Sequence, residues 1–308
     1  METRKKIFGA ECLFTALIAV YEVVTVLALF TDLFSGITIK QNILFSQSLI
    51  FVPTVLYLFI MRKHVKDIIW FRRFHPLTLL LIPPLVLFME PLITLLNAIS
   101  MLFVRNEISH AASALVDHNT LGTSLFFMAF LPCVIEELAY RGVMFGSFHE
   151  AGRLKAILMS GFLFGLMHMN FNQAGYAMVL GLGLALALEA TDSLWGSMII
   201  HFVFNASSSL ELFLISRMAP EVYETMQDAE ISGMELQMSI GVYLMLACIT
   251  TALAGCVLAW ISKNEGRQTQ MRAIWNNRKQ PGEKVVTIPL IIGVVLALAY
   301  MVIEVVLQ

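Results

Sequence analysis

Seven positions in the middle third of the chain have the residue types and spacing for acid–base chemistry. The first group lies in LPCVIEELAYRGVMFG, residues 131–146, where Glu136 and Glu137 are adjacent and Arg141 follows Glu137 by four positions. On a helix, positions four apart share a face, so Glu137 can pair with Arg141 while Glu136 points about 100° away and lacks that partner. The two carboxylates therefore meet different surroundings: a paired one is a structural anion, and an unpaired, partly desolvated one is suited to act as a base. The plainer reading places both at a helix end among lipid headgroups, but the apolar stretches FFMAFLPCVI before them and GVMFG after them weigh against it. The second group is GFLFGLMHMNFN, residues 161–172, with His168 four positions after Phe164. A lone histidine among Leu, Met and Phe is more often a packed core residue than a catalyst, but Gly161 and Gly165 form a small-residue face that lets another helix come close. The third is WGSMIIHFVFNASSS, residues 195–209, with His201 and Asn205 four apart. Both carry donors that suit a developing oxyanion, and both equally suit hydrogen bonding between membrane helices.

The segments that carry these residues make the chain read as all-α and polytopic, with about eight or nine transmembrane helices. Of 308 residues, 58% are hydrophobic and only 14% charged, against about half and a quarter in soluble domains. A span needs roughly 20 apolar residues, and candidate runs fall at about 8–30, 42–61, 76–104, 121–146, 154–171, 174–190, 194–216, 237–262 and 285–307. The third carries Pro83, Pro84 and Pro91, which predicts a kink or two half-helices. The fifth and sixth are short, with a tight link from Asn170 to Ala174. The first run is too long for a signal-peptide core and lacks its cleavage site, so it reads as a retained helix. No linker or repeat divides the chain, which is read as one membrane domain over 1–308 with a catalytic core at 121–216.

Loop charge sets the expected orientation. Arg4, Lys5 and Lys6, then Arg62, Lys63, Lys66, Arg72 and Arg73, then Arg153 and Lys155, then Lys263, Arg267, Arg272, Arg278, Lys279 and Lys284 all fall on one side of a nine-span arrangement. The acidic segment with Glu221, Glu224, Asp228, Glu230 and Glu235 falls on the other. This predicts a cytoplasmic N-terminus and an external C-terminus in a membrane protein of prokaryotic plasma-membrane type. No basic block suits nucleic acid. The four cysteines (Cys12, Cys133, Cys248, Cys256) form no CxxC pair and read as small packing residues. Glu22, Glu90 and Glu304 also lie within apolar runs, Glu90 most conspicuously beside Pro91, while Glu189 and Asp192 read as marking a loop.

Glu-Glu-x-x-x-Arg (136, 137, 141), Phe-x-x-x-His (164, 168) and His-x-x-x-Asn (201, 205), in that order on successive membrane helices, resemble the CPBP family. This is the CAAX-protease and bacteriocin-processing group that includes the type II CAAX prenyl endopeptidases. The resemblance covers about residues 121–216. It implies an intramembrane endopeptidase in which Glu136 and His168 activate water and His201 and Asn205 stabilise the oxyanion, with Glu137, Arg141 and Phe164 in support. It implies membrane lipid as surroundings and a membrane-associated peptide or lipidated protein as substrate. No cofactor or metal is expected: zinc usually wants three protein ligands, often from HExxH, and HExxH is absent, although two histidines and a glutamate could in principle converge on a zinc ion. The competing readings are a proton-coupled transporter, since intramembrane Glu and His relay protons, and a non-catalytic immunity or scaffold protein on the same fold.

Overall fold

A computed structural model describes residues 2–228, 233–278 and 282–307; Glu230 and Lys279, used above to orient the chain, lie outside these ranges. The long helices are α1 (Glu2–Phe30), α2 (Ile39–Ile60), α3 (Pro76–Ser100), α4 (Leu121–His149), α5 (Arg153–Met167), α6 (Phe171–Thr191), α7 (Leu194–Met218), α8 (Gly233–Asn264) and α9 (Ile288–Leu307). Shorter helices, including Glu107–Asp117, Pro220–Asp228 and Gln268–Asn276, join them. No strand occurs among the described residues. Large apolar side chains such as Leu80, Phe59, Met245 and Ile249 point outward, as lipid-facing surface does. The protein is an integral membrane protein with an all-helical, polytopic fold.

Among the described residues, eight of these helices are long and apolar enough to cross a membrane. The exception is α5. Its 15 residues rise about 22 Å, short of the roughly 30 Å hydrocarbon core. The apolar run at 154–171 therefore overstates the fifth helix, because hydropathy does not register the turn inside it. The turn is at His168–Asn170 rather than Asn170–Ala174. Met169 takes a left-handed conformation at φ 53°, and the Asn170 side chain caps α6 by accepting from the Gln173 N–H. The sixth helix is not short: at 21 residues it starts at Phe171 and is the most enclosed of the spans.

Of the two forms expected for the proline-rich third run, the two half-helices are not found. The run ends at Ser100 and is one continuous helix across Pro83, Pro84 and Pro91. Neighbouring helices can re-satisfy the groups that proline frees in a membrane helix, and α3 lies along most of α8. Around it, α5 and α6 form a tight antiparallel hairpin, and α1 packs on α9 and α2.

The basic segments gather at one end of the bundle. Lys6 reaches Glu150 at 2.6 Å and Asp67 at 3.3 Å, Lys155 donates to the Glu283 carbonyl, and Arg267 meets Asp192 at 3.3 Å. At the opposite end Lys40 donates to Asn119 and Tyr223 to Asp117. Glu189 is not in a loop. It lies buried in the last turn of α6, held by His149 and Arg153, with Arg267 at 3.5 Å. Cys133 is buried, but Cys248 and Cys256 lie on the exposed side of α8, so these two do not act as packing residues.

Candidate active site

The helix that carries the glutamates, α4, is not a regular α-helix throughout. It opens into π-helical turns at Phe126–Phe130 and Leu138–Met144. Such turns insert a residue into the helical repeat, and they recur at functional sites. The second begins directly after Glu137 and contains Arg141.

Glu137 is the enclosed member of the glutamate pair, with no exposed surface. Its Oε1 lies 3.1 Å from Arg141 Nη1 and 3.0 Å from His201 Nδ1. The Arg141 guanidinium stacks over the Phe164 ring at 4.1 Å. Phe164 in turn meets His168 edge-on at 5.1 Å between centroids and His201 at 5.8 Å. One ring thus spaces both histidines and covers the arginine. Space for this comes from glycine. A Cβ on Gly181 would lie 3.0 Å from Arg141 Nη2, and one on Gly165 would lie 2.6 Å from the Ala174 carbonyl oxygen. The Gly161/Gly165 face is thus where α6 seats, as the spacing predicted.

Glu136 turns away from Arg141, as helical geometry requires, and accepts a 3.0 Å hydrogen bond from Gln47 Nε2 on α2. His168 terminates α5. Its Nδ1 lies 2.8 Å from the Phe164 carbonyl, so this nitrogen carries the proton and Nε2 keeps a free lone pair. His201 points Nδ1 at Glu137 and Nε2 at Asn205 Nδ2, 3.2 Å away. With Nδ1–H donated to the carboxylate, Nε2 of the neutral ring accepts from Asn205; an Nε2–H would be a donor that the Asn205 amide nitrogen cannot accept, and so would serve another acceptor. Glu137, Arg141 and His201 are sealed, Glu136 nearly so, while His168 and Asn205 are half-buried. Direct contacts thus join six of the seven residues singled out in the sequence, and Glu136 stands beside them as the chain neighbour of Glu137.

The set does not fit a ready-made zinc site. Both ring nitrogens of His201 are engaged by Glu137 and Asn205. Among the described residues, Glu2, His64 and Asp67 alone bring three ligand atoms within 4.8 Å of one another, and they lie at the basic end of the bundle.

Glu90 does not touch the seven. It accepts from Ser207 at 2.8 Å, two positions beyond Asn205 on α7. Glu304 accepts from Asn170, which follows His168 by two. The residue that sequence reasoning missed is Gln47. The available signal was a carboxamide in the apolar run NILFSQSLIFV, disguised by the serines on both sides.

No curated protein and no solved structure matches the chain significantly. Residues 119–207 match the family model for type II CAAX prenyl endopeptidases, Rce1-like. The matched stretch contains all seven site residues and none of α1, α2 or α3. The motif-bearing segment that joins these helices around Glu136 is thus the part of the chain that is similar to the Rce1-like, type II CAAX prenyl endopeptidases.

Proposed function

We propose that this protein is an intramembrane endopeptidase that hydrolyses a peptide bond in a membrane-associated peptide or lipidated protein without a bound metal. The observation that carries the reading is the unlike fate of two adjacent glutamates. Glu137 is consumed by Arg141 and His201, whereas Glu136 stands outside that ion cluster and accepts from the Gln47 side-chain amide. Glu136 takes a proton from water as the water oxygen attacks the scissile carbonyl carbon. His168 Nε2, with its free lone pair, helps to orient that water. The carbonyl electron pair moves to oxygen, and the resulting oxyanion is held by Asn205 and by His201 in its doubly protonated form. Collapse breaks the C–N bond, and the proton passes to the leaving amine. Glu137 fixes the His201 ring through Nδ1, as a carboxylate does for a catalytic imidazole. The end of the bundle that gathers Lys and Arg is assigned to the cytoplasm, with the N-terminus there and the C-terminus at the opposite face.

The test is cleavage of a fluorogenic, membrane-anchored peptide library by the purified protein in nanodiscs. Wild type is compared with Glu136→Ala, each with and without a zinc chelator. Cleavage abolished in Glu136→Ala and indifferent to chelator is the expected result. Loss of wild-type cleavage on chelation replaces this mechanism with a metal-assisted one. Cleavage that survives in folded Glu136→Ala removes the assigned base.

A further inference from the structure

The polar residues of α2 differ in where they spend their hydrogen bonds. Ser46 and Ser48 donate back to their own helix, to the Ile43 and Phe45 carbonyls at 3.0 and 2.6 Å. This local bonding makes a serine inexpensive in a membrane helix. Gln47, between them, is 9% exposed and turns inward, where its Nε2 donates 3.0 Å to Glu136 Oε1. Only the amide nitrogen can donate to a carboxylate, which fixes the orientation of the group. Its carbonyl, Oε1, is then buried without a hydrogen-bond partner. An amide acceptor left unpaired inside a protein carries a desolvation cost, and native structures keep such groups chiefly where a water, ion or ligand completes them. This acceptor lies one amide group away from the carboxylate assigned as the base.

We infer that Gln47 is a further catalytic group of this site, holding Glu136 with its N–H and the attacking water with its carbonyl. The inference rests on the endopeptidase reading above. The attacking water has two protons. One is aimed at Glu136 and leaves as the O–C bond forms; the other is shared between Gln47 Oε1 and the His168 Nε2 lone pair and stays on the oxygen until the intermediate collapses. Held at both protons, the water turns a lone pair toward the substrate carbonyl, which is positioning rather than proton transfer. Gln47 lies outside the stretch that matches the family model, so this assignment comes from packing alone.

Variants of the full chain in nanodiscs test this against a membrane-anchored fluorogenic peptide, with Glu136→Gln as reference. Gln47→Met keeps length and loses both polar groups. Gln47→Glu keeps the shape but sets a second carboxyl against Glu136, so that the two share one proton and Glu136 is no longer a free base, and Gln47→Asn keeps both groups on a shorter arm. The expected result is a fall in kcat of about 10–100-fold for Gln47→Met and Gln47→Glu, the scale of a lost hydrogen bond to a charged group. KM and melting temperature stay near wild type, and Gln47→Asn retains more activity than either. Labelling of Glu136 by a hydrophobic carbodiimide, mapped by mass spectrometry, reads the N–H contact without any substrate. It should run about tenfold faster in Gln47→Met, on the same scale. Wild-type kcat and labelling rate in Gln47→Met, or a loss confined to KM, would overturn the assignment. If Glu136→Gln cleaves normally, the endopeptidase reading itself fails. If Glu136→Gln is inactive and Gln47→Met is not, only this inference fails.

Discussion

Glu137 and Glu189 are both enclosed carboxylates, and each is shared by an arginine and a histidine. Their settings differ. Glu189 ends α6 at the basic end of the bundle, where His149, Arg153 and Arg267 reach it from three separate segments. Glu137 lies mid-helix; its arginine is one turn further along α4 and its histidine comes from α7. The Arg141 guanidinium has an ion pair and a ring face, yet none of its nitrogens has a hydrogen-bond partner. Unmet donors in a buried ion pair cost stability. A cluster that only tied helices together would gain from satisfying them, as the Glu189 cluster does. The contrast separates a satisfied joint between segments from a mid-helix ion pair that holds unmet donors, the kind of arrangement that structural economy alone does not favour.

Breaking each cluster should therefore have a different signature. The largest stability effect is expected at Arg141. Arg141→Ala leaves Glu137 a buried carboxylate without its guanidinium, held by the His201 N–H, and should cost about 3–5 kcal/mol, read as lost melting temperature and monodispersity. The double variant Glu137→Gln, Arg141→Met removes both charges, so it should recover much of that loss while staying poorly active. Next comes Asn205→Ala, which should fold normally and lose about 10²–10³ in kcat, as removal of one oxyanion donor does elsewhere. Glu189→Gln should behave in the opposite way, with about 1–3 kcal/mol less stability from impaired buried bonds and unchanged turnover per folded molecule. If turnover also falls, the two clusters are not separate.

The smallest effect concerns Glu150, outside the spans. Partial burial pushes its carboxyl up, but hydrogen bonds from Lys6 and Thr3 outweigh this and hold it below the ordinary glutamate range. A carboxyl lower in the folded than in the unfolded state stabilises above the unfolded value, and that gain is lost as pH falls through the folded value. The melting temperature of wild type should thus drop slightly more on acidification than that of Lys6→Met.

The residues that sequence made legible are those whose partners lie one turn away or share a helix face. Glu137 with Arg141, His201 with Asn205, and Gly161 with Gly165 follow from helical period, and the apolar runs located the long helices. Gln47 was not legible, because its contact with Glu136 spans 89 positions and only packing of α2 on α4 creates it. Glu189 was misjudged because an acid near a span end looks like a loop residue until His149 and two arginines arrive from elsewhere. The end of α5 was hidden because Met169 makes the turn without a glycine, so hydropathy continues across it. The prolines of α3 signalled a kink or two half-helices; the helix runs on as one, packed against α8.

The account turns on Glu136 being the base while Glu137 is its structural neighbour. The most direct measurement is single-turnover cleavage by Glu136→Gln, normalised to folded protein by its melting transition. This change removes the charge, keeps the shape and leaves Glu137, Arg141 and His201 in place. The account predicts a wild-type melting temperature with the cleavage rate reduced by about 10²–10⁴, the range of general acid–base catalysis. A folded Glu136→Gln protein that cleaves at the wild-type rate would contradict it.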